Sequence, residues 1–127
     1  MRDEQARRYA RHIQLPDIGG LGQTAILVAT AHVSLRETDP RAALIAGAYL
    51  AAGGVGALVV PNASDAQRDE LAARGPDTRV MVEGDGREVT FPPRPAWWPA
   101  AEGDDEALAF YRGGLAAATW LADAARP

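Results

Sequence analysis

Apolar residues along the chain change spacing from helical to strand-like and back several times. Residues 3–14 carry apolar side chains at helical spacing, and Pro16 ends this helix because the residue before a proline is disfavoured in the helical region. Residues 23–31 are small and apolar, and we predict a second helix there. A short strand is predicted at residues 32–35. The continuous apolar run at residues 56–60 predicts an interior parallel strand.

Three later helices have recognisable starts. Asp39-Pro40 places a capping carboxylate before a proline that suits the first helical position, and the nearly all-apolar helix at residues 40–52 is expected to be buried on most sides. Ser64, with a glutamine three residues later, forms a capping-box pattern before a helix at residues 65–74. An acidic cluster begins a last helix at residues 103–125, because carboxylates favour the positive end of the helix dipole.

The remaining strands complete a predicted α/β fold. Apolar residues alternate at residues 78–83, Gly84-Asp85-Gly86 indicates a hairpin turn, and residues 87–91 are predicted to return antiparallel. Strands that alternate with helices imply right-handed βαβ units. We predict one truncated Rossmann-like, three-layer domain with a mostly parallel sheet plus one antiparallel hairpin strand. Its predicted parts are an N-terminal helical arm (1–31), a Rossmann-like core (32–91), a proline- and tryptophan-rich linker (92–102) and a C-terminal packing helix (103–125).

Composition removes several classes of function. The chain has 127 residues, a length typical of one domain, and its formal net charge of −4 gives no electrostatic case for binding nucleic acid or an anionic membrane. It has no cysteine, and all 13 basic residues are arginine, which excludes thiol catalysis, cysteine-ligated zinc and lysine chemistry. No apolar run approaches the ~18 residues that span a bilayer, and the charged N terminus does not resemble a signal peptide. We therefore predict a soluble cytoplasmic protein.

The loop where a doubly wound fold binds nucleotide carries unsuitable residues. In such folds a glycine-rich loop after the first strand lets phosphates approach a helix N terminus. Here residues 36–41 contain no glycine, and Glu37 and Asp39 place carboxylates where phosphates would lie. Like charges ~4 Å apart repel by about 1 kcal/mol even in water. An alternative remains, a weak nucleotide-binding or adenylyl-transfer site that has been remodelled around Arg36, Thr38, Arg41 and Asn62.

Other candidate residues have simpler interpretations. His12 and His32 lie on different predicted elements, which gives no metal signature. The sequence places no acid or nucleophile to make His12 a general base, and His32 is interpreted as a strand-edge residue. Trp97-Trp98, among prolines, is interpreted as a lid over the core, and a peptide-recognition platform is the alternative. We predict no bound cofactor and no metal site.

A motif near the N terminus resembles a known family. Arg8-Tyr9-x-Arg11-His12-Ile13-x-Leu15-Pro16-x-Ile18-Gly19-x-x-Gly22-Gln23 is similar to the opening of the ThiF/MoeB/HesA family, adenylating enzymes related to ubiquitin activators. Residues 48–56 and 75–82 resemble two further family segments, and residues 113–121 resemble its last helix more loosely. The glycines of the family's nucleotide loop fall on Thr38, Pro40, Arg41 and Ala43, and its acidic run falls on residues 61–64. The resemblance therefore implies the fold and argues against adenylation.

The same resemblance implies a role as a partner. We predict a short, degenerate family member: a non-catalytic pseudoenzyme that serves as partner or adaptor subunit in ubiquitin-like activation. It would form a homodimer, or a heterodimer with a full-length ThiF/MoeB-like protein. In the family an arginine of the N-terminal helix reaches the partner's ATP site, and the matching residue here is Arg11, with Arg8 second. The predicted interface residues are Arg8, Tyr9, Arg11, His12, Ile13 and Leu15.

Overall fold

The structure, a computed structural model, describes residues 1–36, 39–99 and 105–126. It confirms the mixed α/β class, with strands shorter than the predicted ones. In chain order the elements are α1 (Asp3–Arg8), α2 (Ala10–Gln14), α3 (Gly19–Leu27), β1 (Thr30–His32), α4 (Pro40–Ala52), β2 (Ala57–Val59), α5 (Asp65–Arg74), β3 (Arg79–Met81), β4 (Arg87–Glu88) and α6 (Asp105–Ala125).

The four strands form one parallel sheet in the order β3-β2-β1-β4. Ala31 of β1 pairs with Leu58 of β2 on one side and with Arg87 of β4 on the other. The predicted antiparallel hairpin is therefore wrong, since β4 lies beside β1, at the opposite edge of the sheet from β3. Residues 82–86 form a connection between the two edges rather than a turn that reverses the chain.

Glycines let this connection lie directly against the sheet. A Cβ atom on Gly84, whose φ is +137°, would lie 3.4 Å from the Val59 side chain. A Cβ on Gly86 would lie 2.9 Å from Cγ2 of Thr30. Beyond β4, the Val89 N–H donates to the His32 carbonyl at 2.9 Å, which continues the parallel pairing. The glycine pattern that resembles a hairpin turn thus serves close approach between backbone and sheet.

The core lies between the sheet and a layer formed by α4, α5 and α6. Leu58 of β2 packs with Leu50 of α4 and Trp120 of α6 in one buried cluster. A Cβ on Gly113 would lie 2.5 Å from the Ala42 carbonyl oxygen, so this glycine permits close packing of α6 on α4. Side chains alternate along a strand, so Val59 faces the other side of the sheet, where the connection runs. We predicted helices on both faces of the sheet. Among the described residues, one face is covered by helices and the other by the connection between β3 and β4.

Local capping explains the two helices whose bounds match the prediction. The Asp39 carboxylate accepts from the Arg41 N–H at 3.0 Å at the start of α4. At α5, Ser64 Oγ accepts from the Gln67 N–H at 3.1 Å, and the Gln67 side chain accepts from the Ser64 N–H at 2.9 Å. The predicted capping box is therefore confirmed.

The N-terminal region departs from the prediction at both of its helices. The predicted helix at residues 3–14 is divided at Tyr9 into α1 and α2. The next helix, α3, begins at Gly19, within the predicted turn, and ends before β1, which starts at Thr30. The predicted helix start at residues 103 and 104 and the end of the predicted linker lie outside the described residues.

Candidate functional site

Four side chains near the N terminus converge on the carboxylate of Asp77, in the loop before β3. The Tyr9 hydroxyl and Nη1 of Arg8 donate to Oδ2 at 2.6 and 2.5 Å. Nη2 of Arg2 and Nε2 of Gln5 donate to Oδ1, each at 3.1 Å. The Asp77 side chain is only 9% exposed. We call these five residues the Asp77 cluster; its two guanidinium groups more than balance the single carboxylate.

The Tyr9 hydroxyl and the Asp77 carboxyl, which share a hydrogen bond, both have shifted pKa values. Burial raises the pKa of the Asp77 carboxyl, but hydrogen bonds from Tyr9, Gln5 and Arg8 outweigh burial and leave the pKa below its ordinary 3.8. Burial, followed by the hydrogen bond to Asp77, raises the pKa of Tyr9 to about 12. At neutral pH the acceptor is therefore ionised and the donor protonated, as this hydrogen bond requires.

The Tyr9 ring occupies a notch that only glycine can leave open. Tyr9 is 3% exposed. Gly54, just after α4, has φ +87°, and a Cβ there would lie 2.6 Å from Tyr9 Cζ. The Arg8 guanidinium lies 5.9 Å from the centre of the Tyr9 ring, within cation–π range. The notch and the Asp77 cluster together hold α1 and α2 against the rest of the domain.

A second polar chain links α2 to α3 and to the end of α4. His12 Nδ1 lies 2.9 Å from Gln23 Oε1, and Gln23 Nε2 donates to the Gly53 carbonyl at 2.9 Å. The Gln23 side chain is fully buried, so these two contacts satisfy an amide that would otherwise be costly to bury. His12 therefore has a structural partner within its own chain.

The predicted interface residues are divided between the interior and the surface. Arg8 and Tyr9 belong to the Asp77 cluster, and His12 contacts Gln23. Ile13 is partly buried, and Leu15 is 49% exposed. The side chain of Arg11 is exposed, and among the described residues it makes no hydrogen bond or ion pair. Of the two arginines proposed to act on a partner, only Arg11 is available for that role.

Asp39, just before α4, pairs with Arg41 in the first turn of that helix. Arg41 donates through Nε and Nη2 to the two carboxylate oxygens of Asp39, at 3.2 and 3.0 Å. The hydrogen bond from the Arg41 side chain holds the pKa of Asp39 below its ordinary value, with burial acting in the opposite direction. Arg36 is exposed, and Asn62 follows β2 with a left-handed φ of +67°. Thr38, the remaining candidate ligand, lies outside the described residues.

The tryptophan pair lies against α6. The Trp98 ring centre is 5.4 Å from that of Tyr111, and Trp97 is 6.4 Å from Tyr111 and 72% exposed. Nη2 of Arg94 donates to the Pro99 carbonyl at 2.7 Å, which closes the segment on itself. The tryptophan of the core is Trp120, whose Nε1 donates to the Arg87 carbonyl at 3.0 Å.

An apolar surface lies on the side of α4 that faces away from the sheet. Its α4 residues sit at helical spacing, and Tyr49 makes an edge-to-face contact with Phe110 of α6, with 6.0 Å between the ring centres. These rings are 44% and 57% exposed. Shallow grooves separate this surface from α5 on one side and α6 on the other, and His12 lines the groove toward α2. We call its apolar residues the α4 face: Ile45, Ala48, Tyr49, Ala52 and Phe110, with Arg74 of α5 at its border.

Sequence reasoning missed both Asp77 and the α4 face. The all-apolar pattern of α4 indicated burial on most sides, but the sheet, α5 and α6 leave one stripe open. Asp77 is separated from its donors by 68 to 75 residues along the chain, and no local pattern signals such a contact. A lone aspartate in a Gly-Pro-Asp turn has a sufficient local explanation.

Comparison with known proteins identifies no family. No protein-family model matches the chain, and no curated protein matches it either. The resemblance to the ThiF/MoeB/HesA family therefore stays a prediction. Within the described part of the chain, no helix has both the length and the apolar character to cross a membrane.

Proposed function

We propose that this protein is a non-catalytic partner subunit that binds a second protein through the α4 face. The observation that carries the proposal is the exposed ring pair Tyr49–Phe110, set among the aliphatic side chains of α4. Single exposed apolar residues are common, but contiguous apolar patches with aromatic centres are typical of protein interfaces. Aromatic anchors beside alanine-lined grooves suit a protein surface better than a small polar ligand.

The charge arrangement before α4 supports a non-catalytic role. A phosphate site needs free N–H donors and an uncommitted positive charge at the helix N terminus. Here the Asp39 carboxylate caps the helix and accepts from the Arg41 guanidinium. A phosphate would therefore have to displace a carboxylate that is already hydrogen-bonded.

The proposed partner is a full-length ThiF/MoeB-like adenylating enzyme. Arg11 is exposed, and the next residue in the chain, His12, lines the groove at the α2 end of the α4 face. We propose that Arg11 extends from this rim toward the partner's phosphate ligand. Arg11 is proposed ahead of Arg8 because the Arg8 guanidinium already donates to Asp77.

Calorimetric titration of this protein into such an enzyme tests the α4 face. Tyr49→Ala and Phe110→Ala should each weaken binding by about tenfold or more, because each removes an aromatic anchor. Trp97→Ala, which removes a still more exposed aromatic ring from another surface, should leave the affinity unchanged. The absence of binding by the wild-type protein contradicts the choice of partner, and a loss confined to Trp97→Ala favours the tryptophan segment as a peptide site.

The role of Arg11 is tested in the partner's own adenylation reaction. Arg11→Ala should lower the partner's kcat and leave the affinity between the two proteins nearly unchanged, because rim charges contribute little to affinity. Arg7→Ala is the matched control, since Arg7 is an exposed arginine on α1. Equal rates with both variants would show that Arg11 is a solvated surface charge.

A further inference from the structure

The first residues of the chain are attached to the domain by a small and localised set of contacts. Neither α1 nor α2 contains a buried residue, and Tyr9 between them is the single deeply buried anchor. The other strong contacts of residues 1–14 are polar and are concentrated on Asp77. We call residues 1–14 the α1–α2 segment.

The site that receives this segment is built by other parts of the chain. Asp77 supplies the carboxylate, and Gly54, held at φ +87°, leaves the notch for the Tyr9 ring. At the other end of this receiving site, the Gln23 side chain contacts His12 and is held in place by its hydrogen bond to the Gly53 carbonyl. The structure therefore shows both a receiving site and the chemistry of its occupant: a helical segment with paired arginines, a glutamine and a tyrosine.

The connection after the segment is short and contains a proline. Residues 15–18 join α2 to α3, and Gly19 at the start of α3 has φ +65°. Leu15 in this connection is 49% exposed. Short connections of this kind favour exchange of a terminal segment between two copies, because a closed chain must bend sharply and an exchanged one need not.

An unpartnered apolar stripe begins beside that connection. Leu21 on α3 is 90% exposed and Val28, two turns further on, is 81% exposed. Residues seven apart lie on one side of a helix, so these two side chains share a face. They are the two most exposed large apolar side chains among the described residues.

We propose that the α1–α2 segment exchanges between two copies of this chain, each segment filling the Asp77 and Gly54 site of the other copy. The contacts of the closed chain are then reproduced between copies, and Leu21 and Val28 are covered by the partner's α3. The proposal shares with the proposed function only the need for a second protein. Although the segment also carries Arg11 and His12, the exchange rests on the contacts with Asp77 and Gly54 and not on Tyr49 or Phe110. Its test contains no adenylating enzyme, so the two can fail separately.

Complementation between two variants of the full chain tests the exchange. Asp77→Ala keeps a normal segment but loses the receiving site. A chain that combines Arg8→Ala with Tyr9→Ala keeps the site but loses the segment. In native mass spectrometry each variant alone should be a monomer, and their mixture should contain a heterodimer of one copy of each. A mixture that holds only monomers, with both variants folded by far-UV circular dichroism, overturns the proposal.

Further variants distinguish exchange from misfolding and from association through the α4 face. If Asp77→Ala does not fold, Asp77→Asn preserves the shape and weakens the same contacts. A flexible glycine insertion after Pro16 should reduce the wild-type dimer by about tenfold, because a longer connection lets each segment reach its own site. Tyr49→Ala, which alters the α4 face, should leave the dimer unchanged. A dimer that Tyr49→Ala abolishes and the insertion preserves is held by the α4 face and contradicts exchange.

Discussion

At the scale of single residues, Asp77 does the most to determine how the N terminus is arranged. Its carboxylate turns two arginines, a glutamine and a tyrosine inward, toward their own domain. The motif that contains Arg8 and Tyr9 therefore has an internal structural use, independent of any partner. Arg11, in the same motif, has no such use among the described residues, and this difference separates the two arginines.

Removing the carboxylate should loosen the N terminus measurably. Asp77→Ala is expected to lower the free energy of unfolding by about 2 kcal/mol, because it leaves several donors without a charged acceptor. Urea denaturation followed by circular dichroism measures the change. Asp17→Ala removes an exposed aspartate from the connection before α3 and should change stability little. Equal midpoints for the two variants would show that the cluster contributes no net stability.

The shifted pKa values of the cluster predict a loss of stability at both extremes of pH. The pKa of Asp77 is lowered on folding, so its contribution is complete above 3.8 and is lost as pH falls through the folded pKa. The pKa of Tyr9 is raised from 10.0 to about 12, so its contribution is complete below 10.0 and is lost as pH rises toward about 12. Tyr9→Phe should remove the Tyr9 part of the alkaline loss, as measured by thermal melts from pH 7 to 11. An identical alkaline slope in both proteins contradicts the assignment.

At the scale of elements, glycines decide where one backbone approaches another. Gly54 opens the notch for Tyr9, and Gly84 and Gly86 let the connection between β3 and β4 lie on the sheet. This connection takes the last strand to the far edge, where it pairs with β1.

The Gly54 notch makes a specific prediction. Gly54→Ala should destabilise the fold by about 2 kcal/mol or more, because alanine is strained at a positive φ and its Cβ would overlap the Tyr9 ring. Gly20→Ala is the matched control, since a Cβ there meets no atom within 4 Å. Thermal melts of the two variants compare them directly. A Gly54→Ala protein as stable as Gly20→Ala would mean that α1 and α2 do not occupy the notch.

At the scale of the whole molecule, the α4 face and the loop before α4 point in the same functional direction. The α4 face exposes two aromatic rings, as the proposed partner role requires, and Asp39 before α4 is paired with Arg41. The alternative of a remodelled nucleotide site requires that Arg41 leave Asp39. The free energy needed to separate Arg41 from Asp39 should make nucleotide binding weak or undetectable.

Nucleotide binding is tested by thermal shift. Millimolar ATP with magnesium should leave the melting temperature of the wild-type protein unchanged, because a ligand stabilises a fold only in proportion to its occupancy. Asp39→Asn should free the Arg41 guanidinium and serves as the comparison. A clear rise in the wild-type melting temperature would favour the nucleotide-binding alternative over the partner role.

The elements with local signals were predictable from sequence. Asp39-Pro40 and the Ser64 capping box set the starts of α4 and α5, and both helices match their predicted bounds. The strands β2, β3 and β4 lie within their predicted ranges, because apolar runs between turn residues identify strands without reference to their partners. The first strand, β1, begins two residues before its predicted range. The pairing of the last strand was not predictable from a turn signal, since the same glycines serve a hairpin or a close crossing.

The sequence by itself determined the α/β class, the starts of the capped helices and the lack of cysteine and lysine chemistry. These depend on neighbouring residues or on composition alone. Only the tertiary structure decided that β4 joins β1, that Arg8 and Tyr9 bind Asp77, and that one side of α4 remains open. Each of these depends on residues far apart in the chain, whose approach is decided by the packing of the whole domain and not by any local pattern.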